Sequence, residues 1–346
     1  MDAPKLRFAM FGTGVFGQIF APYINEVAEL VSICDPSPEA RSAFREKTGL
    51  ALPEFDNAER LLAEVDIDAV ALTGPNHTHK PLALAAARAG KHVYCEKTMA
   101  PTVPNCWEMV RACEAAGVRL MVGHKRRIRP PWARMIQLCD QLGPVYAISS
   151  CKYHDSSGYN PQGWWWRDAE CGGTLPLVGV HTIDWMRAMC GDVESVSALA
   201  APQINSHFDY PDTMHVSLRF RSGAVGALSV SASYPILQYR EACSSDVITR
   251  EGGMRIQTYL DHIDLSYRRR DDSETHYERF DDLGHAHAFR KELGDFVRWV
   301  TEGAEPCLTW REGLRCVEVM EAAHHYSARQ NGRWVDLPLY PELEAA

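Results

Sequence analysis

The residues whose types and spacing could support chemistry begin with a glycine-rich turn. The apolar run at residues 8–11 is followed directly by Gly12-Thr13-Gly14-Val15-Phe16-Gly17, a G-x-G-x-x-G pattern. Gly12 permits a tight turn out of a strand, Gly14 lets backbone approach a pyrophosphate, and Gly17 lets the next helix pack closely. The N-terminus of that helix would present free N–H groups and a positive dipole to the phosphates. The turn therefore predicts a dinucleotide-binding site.

An acidic residue after the second predicted strand indicates which dinucleotide this is. Asp35 directly follows the apolar run Leu30-Val31-Ser32-Ile33-Cys34, roughly 20 residues beyond the glycine turn, where a carboxylate accepts both ribose hydroxyls. The same carboxylate would repel a 2′-phosphate, and the next four residues bring no arginine. The sequence therefore favours NAD over NADP. This interpretation is compatible with Asp35 also capping the helix that starts near Pro38.

Three more loops follow predicted elements and carry polar side chains. They are Thr73-Gly74-Pro75-Asn76-His77-Thr78-His79, then Glu96-Lys97-Thr98, and the segment from Gly172-Gly173 to His181 and Asp184. Ligands of open α/β sheets bind beyond the carboxyl ends of the strands. We therefore expect the first two loops to share one edge with the glycine turn.

Together these motifs resemble the Gfo/Idh/MocA oxidoreductase family, which includes glucose–fructose oxidoreductase and inositol dehydrogenases. The resemblance covers nearly the whole chain and rests on Gly12–Gly17, Pro75-Asn76-x-x-His79, Glu96-Lys97, Gly123 to Arg127, Gly172-Gly173, Gly179-x-His181-x-x-Asp184 and the ending from Phe296 through Pro306 to Ser327. It implies an NAD-dependent enzyme that transfers hydride between nicotinamide and a ring hydroxyl or carbonyl of a sugar, glycoside or cyclitol.

The resemblance also assigns the reacting groups. In members with this pattern, the lysine that matches Lys97 lies beside the nicotinamide and the substrate hydroxyl, and the histidine that matches His181 contacts the reacting group. Oxidation of a secondary alcohol needs a group that takes the hydroxyl proton as hydride leaves. A partly buried lysine beside a cationic ring is expected to have a lowered pKa. Taken singly, Lys97 could be an exposed strand-end lysine and His181 a core histidine; the joint pattern favours catalysis.

The cofactor-binding set follows from the same resemblance. Glu96 would hold the cofactor ribose and orient its loop, and His79 would orient the loop under the nicotinamide, with helix capping by this stretch as the alternative. The predicted cofactor-binding residues are Gly12, Thr13, Gly14, Val15, Phe16, Gly17, Asp35, Thr73, Pro75, Asn76, His79, Glu96, Lys97, Trp166 and Arg167.

Two positions depart from the family pattern. Four residues before His181 the family commonly has aspartate, whereas this chain has Leu177, which cannot relay a proton. After Lys97 the family usually has proline, whereas this chain has Thr98; a non-proline cis bond costs about 2.5–4 kcal/mol, so the sequence leaves cis and trans open. The side chains considered as replacements for the missing acid are Tyr153, His154, Asp155 and Asp184.

A tryptophan cluster beside an arginine predicts the substrate-binding surface. Trp faces stack on the C–H side of sugar rings, and a planar guanidinium donates in pairs to hydroxyls, carboxylates or phosphates. Relatives often have Trp-Arg just before the glycine pair, which selects Trp166 and Arg167; Trp164 and Trp165 are left open between site and core. The predicted substrate-binding residues are Lys97, Arg126, Arg127, His154, Tyr159, Trp166 and His181.

Two other functions stay open at this stage. A redox-neutral glycoside hydrolase or lyase would oxidise a ring carbon transiently, eliminate, and return the hydride, and Leu177 is compatible with that. A non-catalytic dinucleotide-binding sensor would not need to keep Lys97 and His181, which argues against it.

The elements that position these residues alternate regularly in the first third of the chain. Strands are expected at 5–11, 30–34, 68–73, 92–95 and 119–122, with helices ending near 25 and covering 38–47, 58–64, 79–89 and 103–116. This order predicts a doubly wound parallel sheet, a Rossmann domain over residues 1–124.

The pattern changes after Gly123. A helix is expected from Pro130 to about Leu142, strands at 145–151, 213–220, 224–232 and 261–267, and helices at 287–301 and 310–328. Residues 125–346 thus predict an α+β domain with an open, mainly antiparallel sheet flanked by helices, for substrate binding and oligomerisation; its last helices could pack back on the Rossmann domain. The free face of the sheet predicts a homodimer or homotetramer.

Composition excludes several classes of protein. The formal net charge of −9 argues against nucleic-acid binding, and no apolar run approaches the roughly 18 residues needed to span a membrane. The start lacks the apolar region of a signal peptide, so a cytoplasmic protein is expected. The 11 cysteines include no C-x-x-C pair, and the pairs His285/His287 and His324/His325 have no clustered acid or thiol partner near them in sequence. The sequence therefore predicts neither disulfides nor a metal site.

Overall fold

The computed structural model describes residues 5–235, 242–281 and 284–345. Residues 1–4, part of the stretch searched above for a signal peptide, lie outside this range. Internal contacts divide the chain into two compact units: unit 1 holds residues up to 124 together with 286–314, and unit 2 holds 125–285 together with 315–346. Among the described helices, none has the length and apolar character needed to cross a bilayer.

Unit 1 contains a six-stranded sheet in the order β3-β2-β1-β4-β5-β6. All its pairings are parallel. Its strands are β1 (Arg7–Phe11), β2 (Glu29–Cys34), β3 (Glu54–Phe55), β4 (Ala69–Leu72), β5 (His92–Glu96) and β6 (Leu120–Gly123). Its helices are α1 (Val15–Val27), α2 (Pro38–Thr48), α3 (Ala58–Glu64), α4 (Asn76–Arg88), α5 (Val103–Ala115) and α9 (His285–Glu302). The doubly wound parallel sheet is confirmed.

The register of this sheet aligns the loops singled out above. Phe11 pairs with Leu72, and Leu72 pairs with Cys95, so β1, β4 and β5 end level with one another. β4 is buried at every position, as expected for a parallel strand covered on both faces. One detail of the prediction is wrong, because α4 begins at Asn76 and not at His79. Pro75 is the N-cap of α4, and a proline is well tolerated at the start of a helix because the N–H that it lacks would have no partner there. His79 therefore lies in the first turn of the helix.

Unit 2 contains a nine-stranded sheet in the order β14-β13-β12-β11-β7-β10-β9-β8-β15. Among the described pairings of this nine-stranded sheet, only β7–β10 is parallel, so the mainly antiparallel sheet is confirmed. Its strands are β7 (Val145–Tyr153), β8 (Val193–Ala200), β9 (Thr213–Phe220), β10 (Val225–Ser231), β11 (Ala242–Thr249), β12 (Gly252–Thr258), β13 (Ile263–Arg269), β14 (His276–Phe280) and β15 (Val335–Asp336). The sequence pattern predicts none of β8, β11, β12, β14 and β15.

The helices of unit 2 include two unusual wide turns. The regular helices are α6 (Pro130–Leu142), α7 (Asp168–Cys171), α8 (Val180–Cys190), the larger part of α10 (Trp310–Glu321), and α11 (Pro341–Ala345). Short 3₁₀ segments cover Lys125–Ile128, Trp164–Trp166 and Ala328–Gln330, and π-helical turns cover Leu175–Gly179 and Ala322–Ser327. The predicted helix at 310–328 is wrong at its end, because the α-helix stops at Glu321 and the wider turn replaces it.

Candidate active site

The glycine turn after β1 has a backbone that only glycine accommodates at two positions. Gly12 has φ +101°, and a Cβ there would lie 2.5 Å from the backbone nitrogen of Gly74; a Cβ on Gly17 would lie 2.4 Å from the Gly12 carbonyl oxygen. Gly14, in contrast, has nothing within 4 Å of a would-be Cβ, and Val15 is 76% exposed. The turn thus packs tightly on the sheet side and is open above Gly14.

The first turn of α1 offers donors in that open space. Gly14 is the extended N-cap residue and provides no side-chain cap, so the positive end of the helix dipole faces this open space, where it favours an anion. Thr13 is fully buried, and its Oγ1 has no hydrogen-bond partner among the described residues. An orphaned hydroxyl below a donor-rich, open turn fits a dinucleotide phosphate group.

Asp35 is held in place by this turn. Its Oδ2 accepts a hydrogen bond from the Thr13 N–H at 2.8 Å, and its Oδ1 accepts one from the Ser37 N–H at 3.0 Å. Each carboxylate oxygen retains a lone pair for a ribose hydroxyl. The guanidinium of Arg41, which the sequence analysis did not consider, donates to the backbone carbonyl of Asp35 and forms an ion pair with Glu54 at 3.4 Å. Its charge is therefore partly neutralised, as suits a site without a 2′-phosphate.

Lys97 directly follows β5, and its loop is bound by two side chains of α4. Glu96 is buried, and its Oε2 accepts from the Lys97 N–H at 3.2 Å. The Lys97–Thr98 peptide bond is cis. The Thr98 N–H donates to Asn76 Oδ1 at 3.3 Å, and the Thr98 carbonyl lies 2.8 Å from His79 Nδ1. The backbone on the C-terminal side of Lys97 is thus fixed by two side chains of the Pro75-Asn76-x-x-His79 motif.

His79 connects this loop to the loop after β4. Its Nε2 lies 3.0 Å from the Gly74 carbonyl oxygen. Burial lowers the pKa of His79 to about 4, although the surrounding backbone carbonyls favour the proton and only Lys97 adds to the decrease. The ring is therefore neutral near pH 7 and carries one N–H, which it can donate to only one of these two carbonyls; its place between them makes it a positioning group for the two loops.

A buried pair beneath Glu96 was not found from the sequence. The Tyr94 hydroxyl donates to Glu292 Oε1 at 2.8 Å, and both side chains are buried. A Cβ on Gly123 would lie 2.5 Å from the Tyr94 hydroxyl and 3.1 Å from Glu96 Oε1. Gly123 therefore gives room for Tyr94 and Glu96 side by side. Two residues this distant in sequence, Tyr94 and Glu292, leave no local signal of their contact.

In unit 2, His181 is the second residue of α8 and is half-buried. The preceding π-helical turn carries Leu177, also half-buried, whose N–H donates to the Gly173 carbonyl at 3.3 Å. π-helical turns occur often at functional sites. The acid that the resemblance expects at this position is thus replaced by an apolar side chain on a turn that leads directly into His181.

Two segments that together make up more than half of the chain match models of one protein family. Residues 6–124 match the oxidoreductase family with an NAD-binding Rossmann fold, and residues 133–252 match the GFO/IDH/MocA C-terminal domain. The chain belongs to the Gfo/Idh/MocA family. Its membership accounts for both the glycine turn and the open sheet that follows it.

Similar proteins of this family act on sugars and cyclitols. Inositol 2-dehydrogenase of Rhizobium meliloti is 28% identical over 92% of this chain and 96% of its own length. D-apiose dehydrogenase of Paraburkholderia graminis is 27% identical over 96% of this chain and 90% of its own length. The WlbA dehydrogenase of Bordetella pertussis, solved with NADH and UDP-GlcNAcA, is 27% identical with a TM-score of 0.84, over 98% of this chain and 99% of that structure.

In this Gfo/Idh/MocA chain, two of the predicted substrate-binding residues of unit 2 make internal contacts instead of pointing freely outwards. Arg126 is buried, lies over the Trp132 ring at 5.1 Å, and donates to Thr182 Oγ1 at 2.8 Å. Arg127 Nε donates to Asp184 Oδ2 at 2.8 Å, and its Nη2 donates to Oδ1. Asp184, one of the acids considered in place of Leu177, is therefore bound in an ion pair.

The other acid candidates are divided by their contacts. Asp155 Oδ1 accepts from the Ser157 N–H at 2.9 Å, and the hydrogen bonds from Ser157 lower the pKa of Asp155. The Tyr159 hydroxyl lies 2.6 Å from His154 Nε2, and burial raises the pKa of Tyr159 to about 12. His154 and Tyr159 thus form a polar pair directly after β7, whereas Asp155 closes a surface turn.

The tryptophan cluster is arranged differently from the expectation. Trp166 is only 2% exposed; its Nε1 donates to the Asn160 carbonyl at 2.7 Å, and its ring packs edge-on against Phe208 at 4.6 Å. Trp164 and Trp165 are half-buried, and Arg167 is exposed. Trp166 is thus the member of the cluster most enclosed by protein, and Arg167 next to it is the accessible one.

Proposed function

We propose that this chain is an NAD-dependent dehydrogenase that transfers hydride between nicotinamide and a ring hydroxyl or carbonyl of a sugar, glycoside or cyclitol. The observation that carries the proposal is the position of Lys97 directly after β5. The in-register ends of β1, β4 and β5 put the glycine turn and Lys97 at one edge of the sheet. Binding of NAD and proton transfer thus have their groups at the same edge.

The residues present in unit 1 fit NAD. The open first turn of α1 and the buried Thr13 hydroxyl suit the pyrophosphate, and Asp35 suits the adenosine ribose. When bound, NAD supplies the acceptor for the hydride. Glu96 holds the second ribose, and Thr73, Pro75, Asn76 and His79 shape the loop beneath it. Trp166 and Arg167 complete the proposed cofactor-binding set from unit 2.

The proton is the part of the reaction that the chain's own residues handle. We assign Lys97 Nζ as the group that takes the substrate hydroxyl proton in oxidation and returns it in reduction, with His181 contacting the same oxygen. Leu177 cannot share the proton, so this chain relies on Lys97 and His181 more than a relative with aspartate there. His154 and Tyr159 are the further residues assigned to the substrate side, whereas Arg126, Arg127 and Trp166 are engaged in internal contacts and support the elements around them.

The two curated relatives reported above favour net oxidation or reduction over the alternatives. Inositol 2-dehydrogenase and D-apiose dehydrogenase are named for net redox reactions on cyclic polyol and sugar substrates, which supports that substrate class here. The redox-neutral and sensor hypotheses gain no support from the relatives compared above.

We also propose that the chain divides functionally into a nucleotide-binding domain, residues 1–124, and a substrate-binding domain, residues 125–346, and that it acts in the cytoplasm.

The proposal is tested by stoichiometry. Purified protein is incubated with NAD and a panel of inositols, aldoses, lactol sugars and glycosides, and both NADH and oxidised product are quantified. We expect one NADH per product molecule for at least one cyclic polyol or sugar. Product without net NADH would select the redox-neutral reaction, and NAD binding without turnover on the whole panel would select the sensor.

We further propose a homodimer or homotetramer formed through the nine-stranded sheet. The outward side of the central strands carries small residues, including Ala147 and Ser149 on β7 and Ala227 and Ser229 on β10. Such a surface lets a second sheet approach closely. Leu199 is 58% exposed, and Val225 and Ile248 are 53% exposed each. These side chains add apolar surface that a second copy of the sheet would bury.

A further inference from the structure

Three potential metal ligands converge in unit 2, outside the residues assigned above to hydride transfer. Asp168 is the first residue of α7, and His324 and His325 lie in the π-helical turn after α10. The Nε2 atoms of His324 and His325 lie 3.4 Å and 3.7 Å from the same carboxylate oxygen, Asp168 Oδ1. One ligand atom from each of the three residues lies within 4.8 Å of the others.

The spacing suits ligands that share an ion. Asp168 Oδ1 is buried and accepts no hydrogen bond of proper geometry within the described part of the chain. Two ligand atoms at about 2.0–2.2 Å from a tetrahedral ion lie roughly 3.4 Å apart, whereas N–H···O hydrogen bonds are about 2.9 Å long. Both histidine nitrogens therefore approach Oδ1 at distances longer than a good hydrogen bond and close to those around a metal.

The backbone is built to bring the two rings together. Successive side chains on an α-helix diverge by about 100°, yet in the π-helical turn the rings of His324 and His325 have centroids 4.6 Å apart and stand at 89°. A Cβ on Gly173 would lie 2.8 Å from His324 Nε2. The glycine, at φ +100°, thus leaves the space into which the ring fits.

Arg329 contacts Asp168 Oδ2 and not Oδ1, the oxygen that faces the two histidines. Its Nη2 lies 3.4 Å from Asp168 Oδ2, and its side chain is 63% exposed, so solvent screens its charge. It orients the carboxylate and leaves Oδ1 facing the histidines. The sequence predicts no metal site here because no clustered acid or thiol partner accompanies these histidines; the fold supplies Asp168 from a distant segment.

We propose that Asp168, His324 and His325 bind one divalent transition-metal ion of the zinc class, with water in the fourth position. Two imidazoles and one carboxylate are an established ligand type for Zn²⁺. Asp168 directly follows Trp164–Arg167, so the ion joins this segment to the chain after α10. Its role is structural, and it is independent of the proposed hydride transfer.

The test begins with untagged protein that has been treated with chelator and dialysed. Zn²⁺ is titrated calorimetrically, and Co²⁺ is titrated while the visible absorption is recorded, since Co²⁺ in a four-coordinate N/O site absorbs far more strongly than the aqueous ion. We expect one ion per chain, an intense visible band, and a higher Tm with Zn²⁺. A stoichiometry well below one ion per chain, or a spectrum like that of aqueous Co²⁺, would overturn the proposal.

Variants assign the ion to these side chains. Asp168→Asn and His325→Gln should each weaken Zn²⁺ binding by more than the roughly 10- to 100-fold that loss of an outer-shell contact causes. The matched control is His276→Gln, because His276 contacts a single carboxylate, Asp272, at 3.5 Å. Unchanged affinity in both ligand variants would contradict the assignment. If a variant is misfolded by circular dichroism, the Co²⁺ spectrum of the native protein decides the question.

Discussion

Arg127 and Asp184 form a two-point ion pair in which the carboxylate is completely buried. The guanidinium donates from Nε and from Nη2, and the Asp184 side chain has no exposed surface while that of Arg127 is 12% exposed. Removing one member of such a pair leaves an uncompensated buried charge, which destabilises proteins by about 3–5 kcal/mol. The pair therefore fixes the 3₁₀ segment after β6 to helix α8, which carries His181.

We expect Arg127→Ala to lower the free energy of unfolding by about 3–5 kcal/mol, measured by urea denaturation. The double variant Arg127→Met/Asp184→Leu should lose less, because it leaves no unpaired charge. Arg60→Ala is the control, since Arg60 pairs with Glu64 on the surface, and it should leave the denaturation midpoint in place. A single variant as stable as the native chain would show that the pair does not hold α8.

The Rossmann half of the molecule was predictable because its signals are local. The glycine turn and Asp35 are each specified by a few neighbouring residues, and the apolar runs of β1 and β4 stand out from the helices between them. The interactions that complete the site are not local. Arg127 and Asp184 are separated by 57 positions, and Tyr94 and Glu292 by 198, so nothing in either neighbourhood indicates the partner.

The strands that were missed have a physical reason as well. β12 starts with Gly252 and Gly253, and β11 contains Ser244, Ser245 and Asp246, so neither shows the regular alternation of large apolar residues that marks a half-buried strand. These strands are stabilised by their neighbours in the sheet. The early start of α4 was missed for a related reason. Pro75 indicates a helix start only if the residues before it are already assigned to the end of a strand.

Asp35 should determine the preference for NAD. Asp35→Ser removes the carboxylate that we propose accepts from the ribose, and with it the repulsion toward a 2′-phosphate. Hydrogen bonds to charged groups contribute about 1.5–3 kcal/mol, so the ratio of kcat/KM for NADP to that for NAD should rise roughly 10- to 150-fold. Asp66→Ser is the control, because Asp66 pairs with Arg7 at the amino edge of the sheet. An unchanged ratio would remove Asp35 from the cofactor site.

His79 should make the fold sensitive to acid. Its pKa is about 4 in the folded chain and near 6.5 when unfolded, so between these values the unfolded state binds more protons. Stability is then fully present above pH 6.5 and is lost as pH falls toward 4. At about 1.4 kcal/mol per pKa unit, the loss is on the order of 3 kcal/mol. His79→Gln should be less stable at pH 7 but lose less on acidification; parallel pH profiles would contradict this.

The sheet face should carry the oligomer contact. Ala227 is exposed on β10, next to Ser149 on β7 and Ser217 on β9, at the centre of the nine strands. We expect Ala227→Arg to convert the native oligomer into a smaller species in sedimentation velocity, because the long charged side chain prevents a second sheet from approaching. Ala51→Arg, in an exposed loop of unit 1, is the matched control. A native chain that sediments as a monomer would refute the proposal directly.

Lys97 provides the most direct test of the reaction. Lys97→Met keeps the length of the side chain but removes the amine, so it should keep NAD affinity, measured by calorimetry, and lower kcat by about 10²- to 10⁴-fold, the usual contribution of general acid–base catalysis. The backbone of the loop should stay in place because Asn76 and His79 hold Thr98. Lys80→Met is the control, since Lys80 pairs with Glu108 on the surface. The pH dependence of kcat/KM should also lose the limb that reports deprotonation of the lysine. Near-normal turnover by Lys97→Met would exclude Lys97 as the proton acceptor, and a loss of NAD binding equal to the loss of turnover would make it a cofactor-binding residue only.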